Sequence, residues 1–467
     1  MQQHMTVTSV YAFRRISRIK KASIAKTIIA FLFILIILIP SMCAAKDPVS
    51  LAVADPINGT VTKANVVWEK TFGGSADDRA FYAVQTGNNV LVVGSSKSIV
   101  ENKTVGWAIS VDNYGNAVWN RTFLEGDGTE LRYIVNLTYG FLLVGNEFLN
   151  SGDVNGYVVR VDDQGNVLWE TIIGGDKIDK LFSAIATPDG FAVFGLTYSY
   201  GNGSSEQAWI VKLDENGKVI WNMTYGGSND SALRTSVLAK DGNYVAAGYI
   251  NVEGGSNYDF YLLKVAPDGS VIWNKNYGGI ESEKAYSMTT ASDGYVLVGE
   301  VESPATLTDA WVLKVDDNGN SMWNKTVGGK EADSPAYVVS AKDGGLLVAG
   351  FTFSFGEGQR DFWLFKINNQ GQLVFDITQG NEAFQEAYSV IETSDDAYIM
   401  VGWTDPVGHP ELIGKATYDF YIVKLSVPKN TGISSFSLIF WISIVLVALL
   451  ATSILVFKLR SKKIKKL

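Results

Sequence analysis

Cysteine and histidine are nearly missing from the chain, with one Cys and two His in 467 residues. That scarcity excludes a disulfide scaffold, a Cys/His zinc site and most histidine-based acid–base catalysis. Acidic residues are missing from both ends: all 48 Asp and Glu lie between residues 47 and 433, whereas 13 of the 39 Lys and Arg lie in the first 46 or the last 10 residues. The interior therefore holds 26 basic against 48 acidic side chains, a net charge of −22, between two purely basic ends. An acidic interior repels polyanions and argues against nucleic acid as a partner. Also absent from the interior is any stretch with a 3.6-residue apolar period, so no amphipathic helix is expected there. At 47% hydrophobic and 19% charged, the chain is still too apolar to be disordered. These absences point to binding rather than catalysis.

The two ends read as membrane segments. Residues 27–45 carry no charge and follow Arg14, Arg15, Arg18, Lys20, Lys21 and Lys26, the pattern of a signal sequence or, if uncleaved, an anchor. Ala45 is the small residue before cleavage, and Pro40, where a lipobox needs an aliphatic residue, argues against lipidation of Cys43. Residues 434–457 are uncharged and as a helix would be roughly 36 Å long, enough to span a bilayer. The Lys and Arg that follow, from Lys458 to Lys466, place the tail in the cytoplasm. The expected order is a basic segment with signal or anchor (1–46), a linker (47–64), an extracytoplasmic domain (65–427), a linker (428–433), a transmembrane helix (434–457) and a cytoplasmic tail (458–467). The expected location is the cell membrane, with lipid as one partner.

A repeat of about fifty residues fills the interior. Trp68, Trp119, Trp169, Trp221, Trp273 and Trp323 recur at that spacing, and Phe375 takes the seventh place. Gly94, Gly145, Gly195, Gly248, Gly299, Gly350 and Gly402 form a second series. A third is aromatic throughout: Trp107, Tyr157, Trp209, Tyr261, Trp311, Trp363 and Tyr421. Within a unit, runs of β-branched and aromatic residues alternate with Gly, Asn and Asp, which reads as four strands, A to D. In one unit they are Ala336 to Ala341, Leu346 to Phe351, Phe362 to Ile367 and Val374 to Thr378. Asp-Gly joins A to B (Asp189-Gly190, Asp293-Gly294) and Asn-Gly joins C to D (Asn216-Gly217, Asn318-Gly319), both tight hairpin turns. Seven such units predict an all-β fold, a seven-bladed β-propeller. Strand D comes first, at Val66 to Phe72, and the last unit lacks one, so the N-terminal strand is expected to complete the last blade.

The segment VDDNGNSMWNKTVGG, with copies VDNYGNAVWNRTF, VDDQGNVLWETIIGG, LDENGKVIWNMTYGG and VAPDGSVIWNKNYGG, resembles the tryptophan-docking motif of quinoprotein-type propellers. Archaeal and bacterial membrane-anchored surface proteins with DGG/WNKT-type repeats look closer still. The resemblance covers residues 65–427. It implies that each Trp packs between neighbouring blades, a structural role that its recurrence in every unit also suggests.

Several residues are candidates for function. Asp78, Glu130, Asp179, Asp230, Glu283, Asp333 and Glu386 follow the Gly-Gly pairs, where D hands over to A. They are expected either to ring one channel mouth as a site for a divalent cation or basic ligand, or to accept hydrogen bonds from their own turns. Asp316-Asp317-Asn318-Gly319 superficially resembles a calcium loop but lacks the downstream Glu, and a hairpin turn explains it. The B-to-C loops are the longest and least alike, as recognition loops on a repeated frame are. They carry Tyr198, Tyr200, Phe353 and Phe355, suited to stacking on sugars or to covering the blade tops, and His409, read as a solvated loop residue. Asn-x-Ser/Thr sequons at Asn58, Asn102, Asn136, Asn202 and Asn229 are glycosylation candidates, while those at Asn120, Asn222 and Asn324 arise from the repeat itself.

The leading expectation is an anchored surface propeller, without cofactor or catalytic residues, that binds a protein or glycan partner. The alternative is a propeller enzyme. Quinoprotein dehydrogenases carry a vicinal Cys pair or its equivalent over the cofactor, and Cys43 lies outside the propeller. Carboxylate-based glycan hydrolysis is compatible with so many acids.

Overall fold

The computed structural model describes residues 64–427 apart from 202–204, 253–256, 304–306, 358, 383 and 406–416. The segments read as signal and transmembrane helix, together with Asn58, Asn202 and His409, lie outside the described residues. Among the described residues no helix is long and apolar enough to cross a membrane.

Seven four-stranded antiparallel sheets form the seven blades. In blades 1 to 6 the strands follow chain order, from Asp78–Thr86 as strand A of blade 1 to Leu373–Gln379 as strand D of blade 6. Blade 7 takes its A, B and C strands from Gln385–Glu392, Ala397–Thr404 and Asp419–Ser426, and its D strand from Asn65–Phe72 at the other end of the chain. The closing register runs from Asn65 opposite Ser426 to Phe72 opposite Phe420. The ends of the propeller are thus hydrogen-bonded neighbours, on the face that carries the A-to-B and C-to-D turns.

The apolar core lies between blades rather than within them. B and C strands such as Gly190–Thr197 and Gln207–Leu213 are buried along their whole length. Each of the seven apolar clusters is shared by two adjacent blades. A four-stranded sheet is too small to enclose a core of its own, so closure of the ring is what removes this surface from water.

The Trp series fastens these seams from outside. The Trp169 indole N–H donates to the Glu215 carbonyl of the next blade's C-to-D turn at 3.0 Å, and Trp68 and Trp323 do the same to Asn113 and Asn369 at 2.8 and 3.2 Å. The ring lies over the turn glycine: a Cβ on Gly217, at φ +80°, would meet Trp169 at 2.5 Å. Phe375 is the exception because of topology. The blade it faces is the closing one, where the two chain ends stand in place of a C-to-D turn, and Phe375 packs beside Ala64, Val427 and Tyr398. No turn carbonyl is there to accept an indole N–H.

The glycine series has a different cause. Each repeated Gly sits on strand B opposite a β-bulge in strand A, with register shifts at 80/82, 131/133, 181/183, 233/235, 285/287, 335/337 and 387/389. A Cβ at any of these glycines would lie 1.8 to 2.0 Å from a strand A carbonyl oxygen. The glycines therefore let strand A fold inward by one extra residue. In blade 6 strand A begins at Asp333, three residues before the Ala336 expected from apolar pattern, because the bulge interrupts the alternation. A third tie joins the A-to-B turn to strand C: the largely buried Lys212, Lys264, Lys314, Lys366 and Lys424 pair with Asp189, Asp241, Asp293, Asp343 and Asp395 at 2.7 to 2.8 Å.

Candidate functional site: an aromatic and arginine-lined axial cavity

The seven bulges aim one residue per blade at the axis: Phe81, Arg132, Phe182, Arg234, Tyr286, Ala336 and Tyr388. All seven line a single cavity of about 470 Å³. They touch in two arcs, Tyr388–Phe81–Arg132 and Phe182–Arg234–Tyr286. The Arg132 guanidinium lies 3.9 Å from the Phe81 ring centroid, Arg234 lies 4.1 Å from Phe182 and 5.9 Å from Tyr286, and Phe81 meets Tyr388 edge-on at 5.3 Å. Ala336 leaves a gap on the side of blade 6. The bulges occur near the start of strand A, so the ring lies toward the face of the B-to-C loops.

One residue further along, strand A supplies Tyr82, Tyr133, Ser183, Thr235, Ser287, Tyr337 and Ser389. The three tyrosines meet near the axis: Tyr82 is 4.3 Å from Tyr133 between ring centroids, and its hydroxyl is 3.0 Å from that of Tyr337. Burial pushes all three phenols above their usual range, so they stay protonated hydrogen-bonding groups. They occupy the space under blades 1, 2 and 6. The small residues opposite stitch blades together instead, as in the 3.1 Å bond from the Val338 amide to the Ser287 hydroxyl. The cavity is therefore partly floored and off-centre.

Two carboxylates, Glu300 and Glu386, also line it. Glu300 accepts from the Tyr286 hydroxyl at 2.7 Å and from the Ser334 hydroxyl. Glu386 accepts from Arg360 at 2.5 Å, and that guanidinium lies over Phe351 at 4.4 Å and Phe353 at 5.0 Å. Arg132 is paired within its own strand, its Nε and Nη2 donating to the two oxygens of Glu130 at 2.8 and 2.9 Å. Burial pushes the Glu130 carboxyl up, but Arg132 and Asn146 outweigh it and hold it below the usual range. More cations rest on aromatic faces around the same mouth: Arg79 on Tyr418 at 4.7 Å and Lys284 on Tyr258 at 4.3 Å. Arg79 also pairs with Asp77 at 3.1 Å, and in the lining itself Arg132 and Arg234 stand against Glu300 and Glu386.

The structure does not bring the seven acids of the Gly-Gly series into one ring. Asp78, Asp179, Glu283 and Asp333 open strand A at equivalent register positions, each fully buried. Each accepts the amide of a glycine four residues back, at 2.9, 2.7, 3.1 and 2.6 Å respectively. Glu130 and Glu386 sit one register position further on, which in a strand turns the side chain to the other face. Asp230 precedes its strand and caps the Glu206 amide at 3.0 Å. Of the seven, only Glu386 lines the cavity. Asp316 accepts the Asn318 and Asn320 amides of its own turn at 2.9 and 2.8 Å. Among the described residues no three His, Cys, Asp or Glu converge as a metal set.

Among the loop candidates, Tyr200 stacks on Trp209 at 5.5 Å and Phe355 packs by Trp363 at 6.3 Å, so both cover blade tops. Tyr198 donates to Glu206 at 3.3 Å, and Phe353 carries Arg360. Asn102 and Asn136 are exposed and Asn229 is half-buried. The bulge residues were missed by sequence reasoning. Their signal is a position thirteen or fourteen residues before each repeated Gly, whose identity varies where everything around it repeats.

No family model matches the sequence, and no curated protein does. Solved structures resemble it in fold. The propeller domain of the trilobed protease from Pyrococcus furiosus matches at 12% identity and a TM-score of 0.43, over 76% of this chain and 96% of that one. The periplasmic gluconolactonase of Pseudomonas aeruginosa matches at 13% and 0.45, over 64% and 86%. The WD40 domain of Toxoplasma gondii coronin matches at 9% and 0.43, over 80% and 90%.

Proposed function

We propose that the protein is a membrane-anchored, extracytoplasmic binding module that receives a glycan in its axial cavity, and that it acts without a cofactor. The observation that carries this reading is the cavity itself: about 470 Å³, walled by aromatic and guanidinium faces and partly floored by tyrosines. A pyranose ring packs its apolar face on an aromatic ring while its hydroxyls reach polar groups at the edge, and this lining supplies both. The chain ends support the orientation. Asn65 and Ser426 pair on the face opposite the bulge ring, and only residues 428–433 separate the propeller from the segment read as a transmembrane helix. With that helix in lipid, the mouth of the cavity points away from the membrane. The resemblance to quinoprotein-type propellers belongs, in this reading, to the docking frame rather than to an activity.

Glu300 and Glu386 in one cavity favour a second reading, carboxylate-based glycan hydrolysis, in which one carboxyl must donate a proton. Both already accept hydrogen bonds from protein donors, which favours holding a ligand. The test is a glycan array probed with the full-length chain in detergent, wild type against Ala336→Trp, which fills the gap in the ring. Retention of a discrete glycan set by wild type and its loss in the variant is the expected result. Retention of the same set by Ala336→Trp, or of none by wild type, refutes the cavity reading. Release of reducing ends from a retained glycan would establish the hydrolase instead.

A further inference from the structure

We infer that the ligand is an acidic saccharide whose carboxylate is received by Arg234. This rests on the cavity reading above and deepens it. The two arginines of the ring look alike in sequence but differ in what surrounds them. Arg132 is held by Glu130 two residues before it, through two parallel hydrogen bonds. At the equivalent place before Arg234 the chain has Ala232. Arg234 rests on Phe182 and beside Tyr286, and among the described residues it makes no ion pair. The carboxylates near it take their hydrogen bonds from other groups, although the Arg234 charge acts on Glu206 and partly offsets its burial. Glu206 accepts from Tyr249 at 2.8 Å and Tyr198 at 3.3 Å, and Glu300 accepts from Tyr286 and Ser334.

Arg234 is therefore a cationic fork, positioned by aromatic faces, with its donors available to the cavity. A guanidinium in that state matches a carboxylate through two parallel N–H···O bonds. The rest of the lining selects among carboxylate-bearing molecules. Glu300 and Glu386 keep acceptor capacity beyond the protein donors they already have, which suits ligand hydroxyls, while Phe182, Tyr286 and Tyr388 offer flat faces. A uronate ring supplies a carboxylate, several hydroxyls and an apolar ring face together. An acidic peptide would turn carbonyl oxygens or a second carboxylate toward the same two glutamates. The volume suits one or two sugar rings.

The experiment is saturation-transfer NMR with the full-length chain in detergent, titrating glucuronate, its neutral methyl ester, glucose and an aspartyl dipeptide. Wild type is expected to bind glucuronate and to bind the ester and glucose at least about tenfold more weakly, the size of a lost charged hydrogen-bond pair. Arg234→Gln should show the same loss for glucuronate at an unchanged circular dichroism spectrum, and Arg234→Lys should recover part of it. Equal binding of glucuronate by Arg234→Gln, equal binding of ester and acid, or preference for the dipeptide overturns the inference. Ala336→Trp separates this failure from a deeper one. Neutral-sugar binding that Ala336→Trp abolishes leaves the cavity reading standing and removes the acid. Saccharide binding that Ala336→Trp leaves intact, or no saccharide binding at all, removes both.

Discussion

Replacing Gly248 by alanine tests the link between the repeated glycine and the cavity. Gly248 has an ordinary extended backbone, so the effect is one of space alone. The added Cβ would lie 2.0 Å from the Ala232 carbonyl oxygen and 3.1 Å from the Arg234 amide nitrogen. Strand A must retreat by roughly 1 Å, since overpacking of this kind is relieved only by backbone shifts costing about 1–3 kcal/mol or more. The retreat also weakens ladder bonds flanking the bulge, at about 1 kcal/mol each, for a total of about 3–5 kcal/mol. The control is Gly242→Ala in the same blade, at φ +81° with nothing within 4 Å of the new Cβ. It should cost only the left-handed backbone penalty, about 1–2 kcal/mol. With an unfolding entropy of roughly 2.1 cal/mol/K per residue over roughly 360 residues, these become about 4–7 °C against about 1–3 °C in melting temperature. Calorimetry on both variants measures the difference, and ligand titration should show Gly248→Ala losing binding as Arg234 is displaced. Equal melting temperatures, or full binding by Gly248→Ala, would refute the claim that the glycine sets the bulge and the bulge sets the site.

Four further outcomes follow from the same geometry. Burial pushes the Glu283 carboxyl up to about 7, assisted by Asp259, Glu281 and Glu302, because Val301 stands where Thr197 and Thr352 give a hydroxyl to Asp179 and Asp333. A carboxyl raised above its unfolded value contributes stability that is present below about pH 4.5 and lost as pH rises through about 7, on the order of 3 kcal/mol, so Glu283→Gln should flatten pH-dependent melts across that window. Hydrogen bonds from Lys314 and Lys366 hold Asp293 and Asp343 below the usual carboxylate range, which places their stabilisation above about pH 4 and its loss at lower pH. The double variant Asp293→Asn/Asp343→Asn should be less stable at pH 7 and decline less on acidification, as followed by circular dichroism. Trp169→Phe should cost about 1 kcal/mol through the lost bond to Glu215, whereas Phe375→Trp should gain nothing at the closing blade, both measured by denaturant titration. Arg132→Gln strands a largely buried Glu130 and should destabilise by about 3 kcal/mol in the same titration, more than Arg234→Gln, which breaks no hydrogen-bonded ion pair among the described residues.

The blade count and the closing strand were legible because each rests on residues that recur. Trp68 ahead of any A strand, and the lack of a further D strand between Leu425 and the uncharged run at 434–457, together required the ends to pair. Phe375 was legible only as an exception, and its reason is topological: a Trp needs a turn to dock on, and in the facing blade strands C and D come from opposite ends of the propeller with no turn between them. The acid series was misaligned for a different reason. The D-to-A connection varies in length, the acid lying ten residues after Trp169 at Asp179 but eleven after Trp119 at Glu130, and in a strand one residue exchanges the two faces, so the two look equivalent in sequence and point apart in space. The bulge residues were hidden for a second reason, since their place is fixed by a glycine on the neighbouring strand rather than by any pattern of their own.

The division between what repeats and what varies therefore falls along a physical line. Trp recurs because the seams between blades pose the same problem of area, whereas Gly and the five Lys–Asp pairs recur because each sheet poses the same problem of clearance and charge within itself. The bulge position is held by the glycine opposite it, through backbone alone, and so accepts Phe, Arg, Tyr or Ala without a change of register, Arg132 being the one that also neutralises a neighbour, Glu130. Seven such positions meet at the axis, where the sheets are closest and a change in one side chain alters the walls seen by all the others. A frame of this kind separates stability from recognition: Ala336 opens the ring, Arg234 charges it and Tyr82 floors it, each in a different blade. The −22 charge of the surrounding domain repels anions and the lining sets two arginines against two glutamates, so attraction at the mouth rests on Arg234. An anion entering it exchanges a repulsive outer surface for an unpaired guanidinium, so binding should weaken with rising salt only as far as Arg234 is screened, and the outer acids should matter to the rate of entry more than to the final affinity.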